Sequence, residues 1–227
     1  MVDNDANLGA LAERWWGAGR GIDNFAYIKV ATGIGCGHVI GGSIYKGATG
    51  MAGEIGHISL DPRGLPCICG LRGCLATMVG GQALHDRMAE LLPQHTSSVL
   101  RESELTMANL VEAALAGDTL ALRVVRETAE YLGIAVSGLL NIMNPSLVVI
   151  GGDLANLGDL LIVPLREMVQ QRTLVSSLAA ADIKVSDIGP QSVAVGASTL
   201  ILQAALEDSR YFPDLESDPP FAKEGTA

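Results

Sequence analysis

The residues best suited to bind a metal ion lie in one stretch of the chain, residues 54–74, called the metal loop below. It holds three of the four cysteines and one of the four histidines, namely His57, Cys67, Cys69 and Cys74. Three thiolates and one imidazole make a complete tetrahedral set of zinc ligands. A reduced loop with cysteines packed as small apolar side chains is one alternative. A disulfide is the other, but it would leave one clustered thiol over. The spacing favours a structural zinc site.

Glu54 gives the metal loop a second potential role. It precedes His57 by three residues, so a metal that fixes His57 would also hold Glu54 nearby. A rigid metal loop that presents a carboxylate can position hydrogen bonds for a polar ligand. Glu54 is therefore a candidate ligand-binding residue.

The adjacent pair Asn4 and Asp5 forms a second candidate site. Aspartate can accept a proton from a hydroxyl group while asparagine fixes the orientation of that group. The same two residues could simply cap a helix. Both interpretations stay open from the residues alone.

Two glycine motifs could approach a nucleotide. The run from Thr32 to Gly37, with glycines at 33, 35 and 37, could cradle a phosphate with backbone N–H groups, or it could be only a turn. Gly151 and Gly152 follow an apolar run and could admit adenine or ribose close to the backbone. They could equally form a tight turn between a strand and a helix.

Size and composition limit the function classes. The 227 residues suffice for one large domain or a domain and a half, and 27 glycines suit an α/β protein with many tight turns. The net charge of −10 argues against this chain alone binding a nucleic-acid backbone. No apolar run of about 18 residues predicts a transmembrane segment, and the polar start predicts no signal peptide. Thiols available for a metal indicate a reducing compartment, so we expect a cytoplasmic protein.

Hydrophobic periodicity, caps and breakers predict the elements. Helices are predicted over residues 4–17, 81–92, 107–115, 119–143, 164–175 and 193–206. Strands are predicted over residues 25–31, 38–40, 43–45, 147–150 and 183–185, with a glycine loop over residues 32–37. The polar, acidic residues 208–227 predict a disordered tail.

Five motifs occur in a specific order along the chain. They are Asn-Asp-Ala-Asn from Asn4, Ala-Thr-Gly-Ile-Gly-Cys-Gly from Ala31, Gly-Glu-Ile-Gly-His from Gly53, Cys-x-Cys-Gly-x-x-Gly-Cys-Leu from Cys67, and Asn-Pro-x-x-Val-Val-Ile-Gly-Gly from Asn144. This order resembles the ROK family, which contains cytoplasmic sugar kinases and sugar-responsive transcriptional repressors.

The resemblance implies an actin-like ATPase fold of the ribonuclease H-like class. Residues 1–24 would be a remnant of the N-terminal lobe that carries the sugar-binding helix, and residues 25–207 would be the C-terminal lobe with its zinc loop. We expect most of the N-terminal lobe to be missing, including the first phosphate loop and any upstream helix-turn-helix.

The resemblance also assigns roles by position. It implies that the sugar is bound by Asn4, Asp5, Glu54 and His57, with Asp5 as catalytic base in kinase members. It implies that a structural zinc ion is held by His57, Cys67, Cys69 and Cys74. It matches the second phosphate loop to Thr32, Gly33, Gly35 and Gly37, and the adenosine-side turn to Gly151 and Gly152.

One departure shapes the functional prediction. Family members usually carry a sugar-contacting glutamate directly after Gly-Cys-Leu, where this chain has Ala76. Phosphoryl transfer depends on positioning and charge stabilisation from both sides of the phosphate. We therefore expect that a chain without the first phosphate loop does not support it. We therefore predict the sugar-sensing, effector-binding lobe of a transcriptional repressor, closest to the regulators of the family, without kinase activity.

Two alternatives remain, an ATP-dependent hexose kinase that uses ATP and Mg²⁺, and a remnant that only dimerises. The expected partners are a sugar or amino sugar and further copies of the chain, as a homodimer or tetramer. We expect no DNA contact by this chain itself and no membrane contact.

Overall fold

A computed structural model describes residues 2–173 and 181–207 of the chain. Its centre is a mixed sheet with the strand order β3-β2-β1-β4-β5. The strands are β1 (Phe25–Val30), β2 (Ile34–Ile40), β3 (Ser43–Tyr45), β4 (Leu147–Gly152) and β5 (Asp182–Val185). Strands β1 to β3 form an antiparallel meander, and β4 and β5 continue the sheet in parallel on the other side of β1.

Helices cover both faces of this sheet. They are α1 (Asp5–Trp16), α2 (Ala76–Val79), α3 (Gly81–Leu91), α4 (Met107–Leu115), α5 (Thr119–Met143), α6 (Asp159–Arg172) and α7 (Ser192–Glu207). Alternate residues of β1 point to opposite faces, so Phe25 and Tyr27 pack with Ala10 of α1, while Ala26 and Ile28 pack in the larger core with α2 to α6. Helix α7 packs against α1. The sheet thus fixes α1 on one face and the long helix α5 on the other.

The N-terminus of α1 is held over β2 by a cap and by close packing. The side chain of Asn4 accepts a hydrogen bond from the Ala6 N–H at 2.8 Å, as a helix cap requires. A Cβ atom on Gly37 would lie 2.4 Å from the Ala6 carbonyl oxygen, so only glycine lets α1 approach β2 this closely. This packing sets Asp5, the first residue of α1, beside Gly35 of β2.

Most predicted elements are confirmed, and the two largest boundary differences are at β2 and α6. The glycine loop is shorter than predicted because β2 begins at Ile34, which pairs with Val30 of β1 across a tight turn. Helix α6 begins at Asp159, five residues before the predicted start at Pro164. Proline removes one backbone hydrogen bond there, but burial of Leu161 and Leu165 keeps the early turns helical.

Two predicted features lie outside the described residues. They are residues 174 and 175 of the helix predicted over residues 164–175, which the structure ends at Arg172, and the disordered tail predicted over residues 208–227. The proposed boundary at residue 24 stays a prediction, although α1 packs on the same sheet as the rest of the chain. Within residues 2–173 and 181–207, no helix has the length and apolar character needed to cross a membrane.

Candidate metal loop and ligand cleft

The structure brings the four predicted metal ligands together. The ligand atoms of His57, Cys67, Cys69 and Cys74 all lie within 4.8 Å of one another. His57 ends a short 3₁₀ turn, and the loop that follows is closed by two isolated β-bridges, Ser59 to Cys74 and Pro66 to Arg72. Backbone pairing within the loop therefore brings the four side chains of the cluster together.

The distances within the cluster fit a tetrahedral ion better than a disulfide. Cys69 Sγ lies 3.6 Å from Cys74 Sγ, and Cys67 Sγ lies 3.5 Å from His57 Nδ1. Zinc–sulfur bonds of about 2.3 Å in a tetrahedron place two sulfur atoms about 3.8 Å apart, whereas a disulfide bond is about 2.05 Å long. The four cysteines of the chain are free thiols in the structure. The residues present therefore fit the zinc site that the spacing predicts.

One glycine in the metal loop is required by its surroundings. Gly73 has a φ of 60°, and a Cβ atom added to it would lie 1.8 Å from the Asp61 carbonyl oxygen. Its own carbonyl accepts the Leu60 N–H at 2.8 Å, which closes the loop next to Cys74. Glycine is the residue that adopts this left-handed, closely approached backbone without strain.

The thiols differ in how readily they ionise. A hydrogen bond from the backbone of Leu71 lowers the pKa of Cys69 to about 7, so this thiol gives up its proton easily. Burial raises the pKa of Cys36, which lies on β2 away from the cluster, to about 12. Cys36 is therefore a packed apolar side chain rather than a nucleophile.

A small cleft beside the metal loop collects five of the ten residues predicted to bind a sugar or a nucleotide. It has a volume of about 150 Å³, and its lining is Asn4, Asp5, Lys29, Gly33, Ile34, Gly35, Ala52, Gly53 and Glu54. The start of α1, the turn between β1 and β2, and the segment before His57 each contribute one wall. Three of the four predicted sugar ligands are thus on one cleft, together with two of the glycines predicted to bind phosphate.

His57 connects the metal cluster to this cleft. Its Nδ1 atom faces Cys67, and its Nε2 atom lies 4.0 Å from the carboxylate of Glu54. That separation is longer than a hydrogen bond, so the two groups are neighbours without direct bonding. His57 itself does not line the cleft.

The other glycines of the predicted nucleotide site serve the packing of the sheet. Gly37 lies against α1, and a Cβ atom on Gly151 would lie 2.2 Å from the Tyr27 hydroxyl. A Cβ atom on Gly152 would lie 2.2 Å from the Val30 carbonyl oxygen, and Thr32 is exposed beyond β1. None of these four residues lines the described cleft, and their role toward a nucleotide stays a prediction.

Lys29 is the charged cleft residue that the sequence analysis missed. It lies on β1, and its ammonium group forms an ion pair with the carboxylate of Asp5. The signal in the sequence is a single charged residue in the otherwise apolar run Phe-Ala-Tyr-Ile-Lys-Val. A strand buried on both faces rarely carries a lysine without a partner for its charge.

Ala76 occupies the first position of α2, two residues after the predicted metal ligand Cys74. It is half-buried, and its side chain does not line the described cleft. The metal loop positions it, so a longer side chain there would project from a fixed backbone.

A larger groove of about 780 Å³ runs between α1, β3 and α7. Trp15, Ile44 and Leu200 contribute to its walls, but none of the four predicted sugar ligands does. The smaller cleft, which carries three of those four residues, is therefore the candidate ligand site.

Buried polar contacts hold α1, and with it Asp5, in place. The carboxylate of Glu13 accepts hydrogen bonds from the Ala18 N–H at 2.8 Å and from the Ser186 hydroxyl at 2.5 Å. Burial raises the pKa of Glu13 above its ordinary value. The Tyr27 hydroxyl lies 2.7 Å from that of Ser192, which ties β1 to the start of α7.

Comparison with known proteins places this geometry in a family. The sequence model described as "ROK: ROK family" matches residues 1–204. The glucokinase of Halalkalibacterium halodurans is 38% identical over 209 residues, which are 89% of this chain and 63% of that protein. The xylose repressor of Caldicellulosiruptor bescii is 32% identical over 214 residues, which are 92% of this chain and 54% of that protein.

A solved structure shows the same fold. The crystal structure of a ROK family glucokinase from Streptomyces griseus, in complex with glucose and AMPPNP, superposes with a TM-score of 0.82 at 31% identity and covers 89% of this chain and 68% of that one. The mixed sheet fits the actin-like, ribonuclease H-like fold that the sequence resemblance implies. The chain spans between about half and two thirds of the length of the two curated relatives.

Proposed function

The chain belongs to the ROK family, and within this family we propose that it is the sugar-sensing, effector-binding lobe of a transcriptional repressor without kinase activity. The observation that carries the proposal is the convergence of Asn4, Asp5 and Glu54 on one small polar cleft. Carboxylate and amide oxygens accept hydrogen bonds from hydroxyl groups, so the cleft suits a polyol. The similarity to the xylose repressor supports the regulatory role.

The chemistry of the cleft favours a sugar or amino sugar as the ligand. Its wall carries the carboxylates of Asp5 and Glu54 and the ammonium group of Lys29, so it offers both acceptors and a donor. The ROK family glucokinase of known structure was solved with glucose. We propose a ligand of the same class for this chain.

A structural zinc ion is part of the proposal. His57, Cys67, Cys69 and Cys74 would hold it, and their mutual distances fit a closed tetrahedral site. When bound, the ion supplies rigidity rather than reaction chemistry. The metal loop would then hold Glu54 at the cleft, since Glu54 precedes the ligand His57 by three residues.

Ala76 supports the absence of kinase activity. The family resemblance implies a sugar-contacting glutamate at this position, and alanine cannot accept a hydrogen bond through its side chain. Loss of one ligand to the sugar weakens the positioning on which phosphoryl transfer depends. Sensing needs only binding, so it tolerates this loss better than catalysis does.

An ATP-dependent hexose kinase is the second candidate. Asp5 is present at the position of the catalytic base, and the glucokinase of H. halodurans is 38% identical to this chain. Gly33 and Gly35 lie on the same cleft as Asp5, where a transferred phosphate would have to arrive. ATP and Mg²⁺ belong to this candidate alone.

We further propose a homodimer or tetramer that does not itself contact DNA. Large apolar side chains are exposed on α5 and α7, including Ile142 at 80%, Leu206 at 62% and Ile201 at 61%. Such patches mark protein–protein surfaces. The net charge of −10 opposes binding to a phosphate backbone by this chain.

Calorimetric titration separates the two candidates. Glucose, N-acetylglucosamine and N-acetylmannosamine are titrated into the purified chain, and the same samples are then incubated with Mg²⁺-ATP and assayed for sugar phosphate. We expect binding of at least one sugar and no phosphorylated product. Product formation would establish the kinase, and the absence of any binding would refute the sugar-sensing function.

A further inference from the structure

We propose that Lys29 is a fixed counter-ion for Asp5 and itself a sugar-binding residue, whose ammonium group donates a hydrogen bond next to the acceptor that Asp5 provides. The inference rests on the proposed function and deepens it. It identifies a specificity-determining residue in the cleft.

The sheet gives the Lys29 side chain a clear route to Asp5. Lys29 pairs in register with Gly35 of β2 and with Gly151 of β4. Residues directly opposite each other in a sheet point to the same face, so both neighbours on the face of Lys29 lack a side chain. The space above Gly35 is where the Asp5 carboxylate lies, 4.0 Å from the position of a Cβ atom.

The charges in the cleft support a lasting pair. The Lys29 side chain is 23% exposed and that of Asp5 is 51% exposed, so the ammonium group lies deeper than the carboxylate. Lys29 is the one cation on the described cleft wall, facing the two carboxylates of Asp5 and Glu54. Removal of its charge would leave two carboxylates together, which is an unfavourable arrangement.

The Lys29–Asp5 pair presents a hydrogen-bond donor next to an acceptor on the cleft wall. This arrangement matches the adjacent hydroxyl groups of a pyranose, one of which can accept from Lys29 while its neighbour donates to Asp5.

The experiment compares three variants by calorimetric titration of glucose and N-acetylglucosamine into the full chain. Lys29→Met removes the charge and keeps the length, and Lys29→Arg keeps the charge. Lys46→Met is the matched control, because Lys46 pairs with Asp3, and neither residue lines the cleft. We expect Lys29→Met to bind the preferred sugar at least tenfold more weakly, Lys29→Arg to stay within about threefold of wild type, and Lys46→Met to be unchanged.

Several outcomes would overturn the inference. If wild type and Lys29→Met bind sugar equally well, Lys29 does not determine binding, although the sugar-sensing function stands. If wild type binds none of the sugars, the proposed function fails and this inference fails with it. Unfolding of Lys29→Met alone, with Lys29→Arg folded but unable to bind, would show that the ammonium is structural and also contradict the proposal.

Discussion

Glu54 lies with its carboxylate 4.0 Å from the Nε2 atom of His57, while the Nδ1 atom of the same imidazole faces the thiol of Cys67. One imidazole thus has the metal cluster on one side and a wall of the ligand cleft on the other. A metal ion that fixes the ring would also fix the position available to Glu54. Metal content and ligand affinity should therefore change together.

Zinc removal is the first test of this coupling. We expect wild type to carry about one zinc ion per chain and Cys69→Ser to lose it, together with sugar binding, because structural zinc contributes on the order of 10 kcal/mol to the fold that it closes. Metal analysis and calorimetry of both proteins measure the effect. Cys36→Ala is the matched control. Because Cys36 lies outside the cluster, this variant should keep the zinc content of wild type. Wild type with well under one zinc per chain, purified without chelator, would contradict the site.

Restoration of a carboxylate at position 76 tests the loss of a sugar ligand. A glutamate there would accept a charge-assisted hydrogen bond worth roughly 1.5–3 kcal/mol, so Ala76→Glu should tighten hexose binding about tenfold or more. The variant should still form no sugar phosphate. Titration of glucose and the two N-acetylated sugars into both proteins measures the change, with Ala76→Gln as the uncharged control. Equal affinities would show that position 76 does not face the sugar.

Stability should depend on pH through Glu13. Burial raises the pKa of this carboxyl group in the folded protein above its ordinary value of 4.5. Below both pKa values Glu13 is neutral in either state, and as the pH rises past 4.5 the unfolded chain ionises first, so the folded state loses stability. Relative to wild type, Glu13→Gln should therefore gain stability as the pH rises from about 4.5 through the folded pKa.

Urea unfolding across this pH range measures the difference. Glu167→Gln, at an exposed position of α6, is the matched control and should parallel wild type. A constant offset between Glu13→Gln and wild type at every pH would refute the linkage. Such an offset would reflect only the loss of one acceptor, because glutamine keeps a single oxygen for the Ala18 N–H and the Ser186 hydroxyl.

Because α1 packs closely on β2, adding one methyl group at position 37 should reduce the stability of the folded protein. Gly37→Ala would place a Cβ atom 2.4 Å from the Ala6 carbonyl oxygen and 2.7 Å from the Ala10 Cβ atom, so α1 must shift, at a cost of about 1–3 kcal/mol. Gly33→Ala is the control, because no atom lies within 4 Å of its Cβ position. Chemical denaturation should show the loss for Gly37→Ala alone, and equal stabilities would contradict this account of α1.

Self-association follows from the exposed apolar side chains of α5 and α7. We expect light scattering at micromolar concentration to give the mass of a dimer or tetramer. Ile201→Glu should shift that mass toward the monomer if α7 forms the interface, whereas Val163→Glu, an exposed position on α6, should not. A clean monomer for wild type would contradict the proposal.

The sequence alone determined the features that local spacing encodes. Three thiols within eight residues can reach one ion whatever the distant parts of the chain do, and the four predicted ligands do converge. Asn4 caps α1 through an atom two residues away, which a local pattern predicts well. The ordered motifs also identified the family before any geometry was known.

Only the tertiary structure decided the contacts between distant segments. Lys29 and Asp5 are 24 residues apart, and they meet because β1 and α1 pack face to face. The start of β2 at Ile34 depends on its pairing with β1, and the need for glycine at position 37 depends on the approach of α1. Such contacts leave no periodic signal, because the partner of each residue is chosen by sheet register and helix packing rather than by its neighbours in the chain.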